Sequence, residues 1–174
     1  IENYTTSIQL NSTGKINSML YYNRGLAYYY NKEYDNAIAD YNVAIGLSPR
    51  EAKYYFNRGL AYGKKGKLDT EIVEYNKTIE INANFTKAHA GRGFVYLQKK
   101  NYDQAIIDSA KAIELEPSYP YPYNVRGLAY LYKGDYERAV ADFTKYIELD
   151  ATVGKVFENR GIGYRQQKKF TEAN

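Results

Sequence analysis

The stretch NRGLAY occupies residues 23–28 and returns unchanged at 57–62. Variants of it stand at Arg92 to Tyr96, Arg126 to Tyr130 and Arg160 to Tyr164, so an Arg-Gly pair recurs every 34 residues. A fixed period of this size is made by stacking one small unit on the next, because a single unit cannot bury its apolar face alone. By length, 174 residues would suggest one or two ordinary domains; the period makes one elongated stack the better reading.

Counting back from each Arg-Gly gives units 18–51, 52–85, 86–119 and 120–153 and a truncated unit 154–174, preceded by residues 1–17. Each unit reads as two helices. In the first, Tyr21, Arg24, Gly25 and Tyr28 share a helical face, a polar NKEYD break follows, and Ala37, Tyr41 and Ala44 mark a second amphipathic run that Pro49 stops. The aromatic, Gly, Tyr, Ala, aromatic, Ala and Pro pattern resembles the tetratricopeptide repeat. That resemblance implies an all-α fold: a right-handed superhelical solenoid of antiparallel helix pairs whose concave wall is built from the first helices. Gly25, Gly59, Gly93, Gly127 and Gly161 are expected where helices cross, faced by Ala37, Ala105, Ala139 and Ala173, with Tyr28, Tyr62, Tyr96, Tyr130 and Tyr164 filling space one turn on. Three residues break the pattern. Glu71 replaces the small Ala and Thr78 the second one, which predicts a locally weak unit 52–85; Tyr146 is large for its place and is expected near Gly161 or Gly163.

The first ten residues align with 38–47, as a second helix lacking its first, and about three added residues around Lys15 follow it. KKFTEAN enters another second helix for one turn. A longer array, or head-to-tail association through Ile1, Ile8 and Leu10 at one end and Phe157, Tyr164 and Phe170 at the other, is the expectation.

Arg24, Arg58, Arg92, Arg126 and Arg160 stand where the family more often has Leu. Sixteen residues after each of the first four comes Asp40, Glu74, Asp108 or Asp142. Antiparallel helices bring such positions together, so an Arg-carboxylate ladder that fixes registry is expected, either within a unit or across the junction to the next.

Chemistry has little to stand on. With His89 as the single histidine and no cysteine, neither a Ser-His-Asp triad nor a thiol nucleophile nor a Cys-ligated metal can be assembled. His89 is read as a packing residue; no catalytic residue, cofactor or metal is assigned. No apolar run reaches the ~20 residues of a membrane span. The net charge of +4 does not by itself imply nucleic acid. Lys32, Lys65, Lys100, Lys133 and Lys168 recur near the inter-helix breaks and form a candidate basic ridge for an acidic or nucleic-acid partner. Placed beside acids such as Asp35, Asp69, Asp103 and Glu137, they are better read as complements to the helix ends, which makes nucleic acid the lesser reading.

The first-helix wall carries the functional reading, a scaffold that binds an extended or helical segment of another protein. Its candidate row is Tyr22, Leu26 and Tyr29, then Phe56 and Leu60, then Phe94 and Leu97, then Leu128 and Leu131, with Asn23, Tyr30, Asn57 and Lys87 beside it. Gly63, Ala90 and Gly91 predict a low spot for a bulky partner side chain. Relatives that hold the acidic tails of heat-shock chaperones use a Lys and an Asn on one first helix; Tyr22 and Leu26, or Phe56 and Leu60, stand there instead. Asn57 and Lys87 survive from that clamp, but Gly91 replaces its Arg.

Overall fold

The computed structural model describes residues 1–10, 17–152 and 154–173, with the backbone alone for 7–10 and 169–173. The insertion expected around Lys15 lies outside the described residues. Helices follow one another as α1 (Glu2–Leu10), α2 (Ser18–Tyr30), α3 (Tyr34–Leu47), α4 (Ala52–Lys64), α5 (Leu68–Ile81), α6 (Thr86–Gln98), α7 (Tyr102–Leu115), α8 (Tyr121–Lys133), α9 (Tyr136–Leu149) and α10 (Gly154–Ala173). No strand occurs among the described residues.

The turns inside the pairs depend on one left-handed residue each: Lys32 (φ 64°), Gly66 (73°), Lys100 (59°) and Gly134 (80°), all at the same place in the repeat. Just beyond them, Asn101 and Asp135 cap α7 and α9 by accepting from Gln104 N and Arg138 N. The second residue of every second helix is an acid, Asp35, Asp69, Asp103 or Glu137, which suits the positive end of the helix dipole. Pairing is antiparallel: Ser48 Oγ donates to Ser18 Oγ across the open end of α2 and α3, while Arg24 meets Asp40 nearer the turn.

The chain divides into two compact units, Ile1–Phe85 and Thr86–Asn174. In the first, Ala37, Ile38, Tyr41 and Ala61 form a core against which Tyr22, Leu26, Tyr28, Tyr29 and Tyr62 pack. In the second, one cluster joins Tyr123, Ala139, Phe143, Tyr146 and Val156, and another Leu97, Ala105, Val125 and Ala129. Helix crossings are tight at the glycines, but rings as well as alanines lie on them. A Cβ on Gly25 would fall 2.7 Å from the Tyr41 ring, and one on Gly127 2.7 Å from Phe143.

The last repeat departs from expectation in three ways. Gly161 meets nothing that a Cβ would touch; the crossing is at Gly163, where Val140 Cγ2 presses. Tyr146 packs into the cluster with Tyr123 and Val156 rather than beside either glycine. The helix α10 runs unbroken past Lys168, where a break was expected.

The same three places differ between the units in a compensated way. Tyr22 lies 6.0 Å from Tyr41 and 4.8 Å from Tyr54, ring to ring. Two repeats later these positions are Ala90, Ser109 and Pro122, all buried. Aromatic volume returns from the positions of Leu26 and Lys53, which become Phe94 and Tyr121, 6.0 Å apart, with Tyr119 stacked behind.

Candidate functional site

All four Arg-acid rungs close within a repeat. Arg24, Arg92 and Arg126 each grip an aspartate with Nε and Nη2, on Asp40, Asp108 and Asp142, at 2.6–2.8 Å. Each acid side chain is at most 8% exposed and each of these guanidiniums 18–22%. Arg58 is held differently. Glu74, one methylene longer, takes a single bond from Nη2 at 2.9 Å, and Nη1 crosses to Asn42 of the preceding repeat at 2.6 Å. An aromatic three residues earlier completes the setting: Tyr21, Tyr55 and Tyr123 lie 5.4–5.9 Å from the guanidiniums of Arg24, Arg58 and Arg126. The Arg160 guanidinium lies over Phe157 with no carboxylate paired to it among the described residues. His89 takes the aromatic's place in the third repeat, is buried, and brings Nδ1 to 3.9 Å from Asp108. Burial pushes the Asp108 carboxyl up, but the hydrogen bonds and charge of Arg92, with His89 beside it, outweigh this and hold the group below the usual carboxylate range.

Two of the Lys residues near the turns are engaged along the stack. Lys65 pairs with Asp35 and Lys133 with Asp103, tying successive repeats within each unit. Lys67 lies over the Tyr62 ring at 5.9 Å. Their distribution is that of paired surface charge.

The first-helix faces are more buried than the sequence suggests. Tyr22, Tyr29 and Phe56 are half-buried: Tyr22 is wedged against Tyr41 and Tyr54, Tyr29 packs on Tyr34, and Phe56 lies 5.5 Å from Tyr75 and 5.0 Å from Phe85. Leu97 is core, at 8% exposure, and Leu128 and Leu131 pack against the second unit's clusters. The candidate row is therefore partly core: the stacking of first helices uses one flank of it. Gly63 leaves no low spot either, since the Glu71 carboxylate fills the place its side chain would take. Glu71 is buried and accepts a 2.8 Å hydrogen bond from the Tyr75 hydroxyl.

Rotated one position outward runs the more open stripe. On α2 it is Met19, Asn23, Leu26 and Tyr30, with Met19 39% and Tyr30 79% exposed. On α4 it is Lys53, Asn57, Leu60 and Lys64, at the same i, i+4, i+7, i+11 spacing. Asn57 Nδ2 donates to Tyr22 OH at 3.1 Å and to the Lys53 carbonyl at 2.8 Å, which leaves Oδ1 as its outward group. In the second unit, Lys87, Phe94, Tyr121 and Tyr132 occupy corresponding places, with Tyr132 61% exposed and 5.5 Å from Tyr102. Met19, Lys53 and Tyr121 were not singled out in the sequence; counting from Asn23 and Asn57 by helical steps would have found them.

No group of His, Cys, Asp or Glu among the described residues could hold a metal ion. No described helix is long and apolar enough to cross a membrane.

Tetratricopeptide repeat models match residues 52–85, 86–119 and 121–153, and a second model of the same repeat matches 25–66. The chain belongs to the tetratricopeptide repeat family. Its fold is shared by a crystal structure of MamA protein at TM-score 0.80 and 20% identity, covering 90% of this chain and 85% of that one. A tetratricopeptide repeat protein from Parabacteroides merdae superposes at 0.81 with 20% identity, covering 99% of this chain and 67% of that one. The crystal structure of YrrB, described as a tetratricopeptide repeat protein with an unusual peptide-binding site, does so at 0.77 with 20% identity, over 95% and 84%. No curated protein sequence matches. A tetratricopeptide array is in general a non-enzymatic protein-interaction scaffold.

Proposed function

We propose that the first-helix faces of this tetratricopeptide chain bind an extended or helical segment of another protein. The carrying observation is Tyr30, an aromatic side chain 79% exposed on the same stripe as exposed Met19 and half-buried Leu26 and Leu60. Large apolar groups left in water along one helical stripe mark an interface more often than chance exposure does. Asn23 and Asn57 in the first unit, and Lys87 in the second, are placed to fix a partner's backbone or end groups. Tyr22, Tyr29 and Phe56 in the first unit, and Leu97, Leu128 and Leu131 in the second, support these faces from beneath while Phe94 lies on the open stripe, so the anchors to be tested are the outward ones.

The test is selection of random dodecapeptides on the immobilised protein, followed by titration of those enriched against two double variants. Met19→Ala with Tyr30→Ala is expected to weaken binding about tenfold or more while leaving the fold intact. Lys65→Ala with Lys100→Ala, near the turns, is expected to leave it unchanged. The reverse pattern would move the site to the turn edge.

Association of copies end to end is a second reading, favoured by exposed Ile1 just before α1, Tyr4 on it, and Phe157 and Tyr164 on α10. The side chains of Ile8, Leu10 and Phe170 lie outside the described residues. Light scattering across a concentration series decides it: growth in mass that Phe157→Ser and Tyr164→Ser abolish supports it, and a constant monomer mass removes it.

A further inference from the structure

Charge is segregated by helix type. The first helices α2, α4, α6 and α8 contain no Asp or Glu, and their cations are Arg24, Arg58, Arg92 and Arg126 with Lys53, Lys64, Lys87 and Lys133. The four arginines point to acids of the second helices and are neutralised there. In the second helices each Lys of α5, α7 and α9 has an acid three residues on: Lys77 with Glu80, Lys111 with Glu114, Lys145 with Glu148. Lys53 and Lys64 have no such neighbour on their own helix.

Lys53 also stands where helix energetics disfavour it. It is the second residue of α4, in the first turn, where unpaired amide groups make the end positive and an acid would be stabilising. Every second helix has an acid at that position, whereas α4, α6 and α10 have Lys53, Lys87 and Lys155. A local rule broken at the same repeat position on one helix type is the pattern of a functional site rather than of folding. The Lys53 ammonium lies 5.5 Å from the Tyr22 ring centre and 5.6 Å from that of Tyr54, with exposed Glu51 of the preceding link 3.8 Å away. That contact, between side chains 37% and 51% exposed, is too open to neutralise it. Lys64 is exposed at the other end of the same stripe, three turns on.

We infer that the first-unit face takes an acidic segment of a partner protein, with an apolar or aromatic side chain seated between carboxylates that meet Lys53 and Lys64. The inference rests on the proposed function and adds the partner's chemistry. The two cations bracket Leu60 and Asn57 along about 16 Å of helix, so the acids of an extended segment would stand some four or five residues apart. The apolar side chain between them would lie on Met19, Leu26 and Tyr30 of α2. Charge complementarity of this kind sets the sign of the partner and the rate of encounter.

The same dodecapeptide selection reads it out through the composition of what is enriched. Peptides of net negative charge carrying an aromatic or branched apolar residue are expected, binding several-fold more weakly as salt rises from tens to hundreds of millimolar. Lys53→Glu with Lys64→Gln should weaken them about tenfold or more, and Lys77→Glu on α5 should not. Gln is used at 64 because the Glu71 carboxylate lies near that ammonium. The double variant should melt close to the parent, since the acid gained in the first turn of α4 suits the dipole and offsets the cation lost from its last turn; this separates loss of binding from loss of fold. Enriched peptides that are neutral or basic, or acidic ones indifferent to the double variant, overturn the inference. If such peptides still lose affinity with Met19→Ala and Tyr30→Ala, the face binds segments and only the partner's charge was misjudged. If nothing enriched responds to either pair, the proposed function falls as well.

Discussion

The carboxylate of Glu71 lies against the Cα of Gly63, so that a Cβ added there would come within 2.6 Å of Oε1 and 2.5 Å of Cδ. Both residues depart from the repeat in the same unit: Gly63 stands where Tyr29, Leu97 and Leu131 do, and Glu71 where Ala37, Ala105 and Ala139 do. The exchange of large and small across the helix pair makes them one feature. Gly63→Ala is expected to lose most of the roughly 1 kcal/mol that Ala gains over Gly in a helix, because the Glu71 carboxylate, the far end of a flexible side chain, must swing off the Tyr75 hydroxyl to make room. Adding Glu71→Ala should recover part of that loss, with a coupling of at least ~0.5 kcal/mol in denaturant unfolding. Strict additivity would show that the carboxylate swings clear at no cost.

Burial pushes the Glu71 carboxyl up, with the Tyr75 hydroxyl and Lys64 opposing it only in part. Glu74 is raised for the same first reason, against the pull of Arg58. A carboxyl raised in the folded state binds its proton more tightly there than in the unfolded chain. Its contribution to stability is therefore greatest at low pH and declines as pH rises from the unfolded value of about 4.3 through the raised folded value. Glu71→Gln keeps an acceptor for Tyr75 and removes the titration. It should raise the melting temperature at pH 7 and flatten the fall between acid and neutral pH; an unchanged pH slope would contradict this.

The ladder predicts unequal rungs. Removing Arg92 leaves Asp108 buried beside His89, and Arg92→Met is expected to cost about 3 kcal/mol or more. Arg58 Nε is buried without a hydrogen bond because Glu74 does not present both oxygens in the aspartate geometry. Glu74→Asp should restore the two-bond grip seen in the other rungs and stabilise the chain by roughly 0.5–1 kcal/mol. A loss in urea unfolding would mean that the missing methylene matters more than the second bond.

Lys32 and Lys100 hold the left-handed turn that Gly66 and Gly134 hold in the alternate repeats. A Cβ in that region costs about 1 kcal/mol. Lys32→Gly and Lys100→Gly should each raise stability by an amount of that order less the entropy that Gly adds to the unfolded chain, and Gly134→Ala should lower it. The opposite sign for the two lysines would point to contacts of their side chains that outweigh the strain.

Much of this was legible in the sequence. The phase of Arg-Gly placed the helices, and sixteen-residue spacing named the acid for the first four Arg; the ambiguity between closing within or across repeats needed the rotation of α2 on α3, which spacing does not contain. Half-burial of Tyr22 and Phe56 was not legible, because it depends on how Tyr54 leans on the one and Tyr75 and Phe85 on the other. Likewise Ala90, Ser109 and Pro122 announce missing volume, but only packing shows that Phe94 and Tyr121 supply it. Gly63 and Glu71 could have been paired from sequence alone, since two opposite departures in one repeat suggest compensation.

Met19 is the single methionine of the chain and lies on the stripe proposed for binding. A 13C-methyl-methionine spectrum therefore contains one protein signal, from the first-helix face of the first unit. Titrating a selected acidic peptide while following that signal tests the central claim directly. The account predicts that it moves in proportion to the bound fraction, and that it stays put when Lys53→Glu with Lys64→Gln has removed binding. A peptide that binds by anisotropy while the Met19 methyl signal does not move would contradict it.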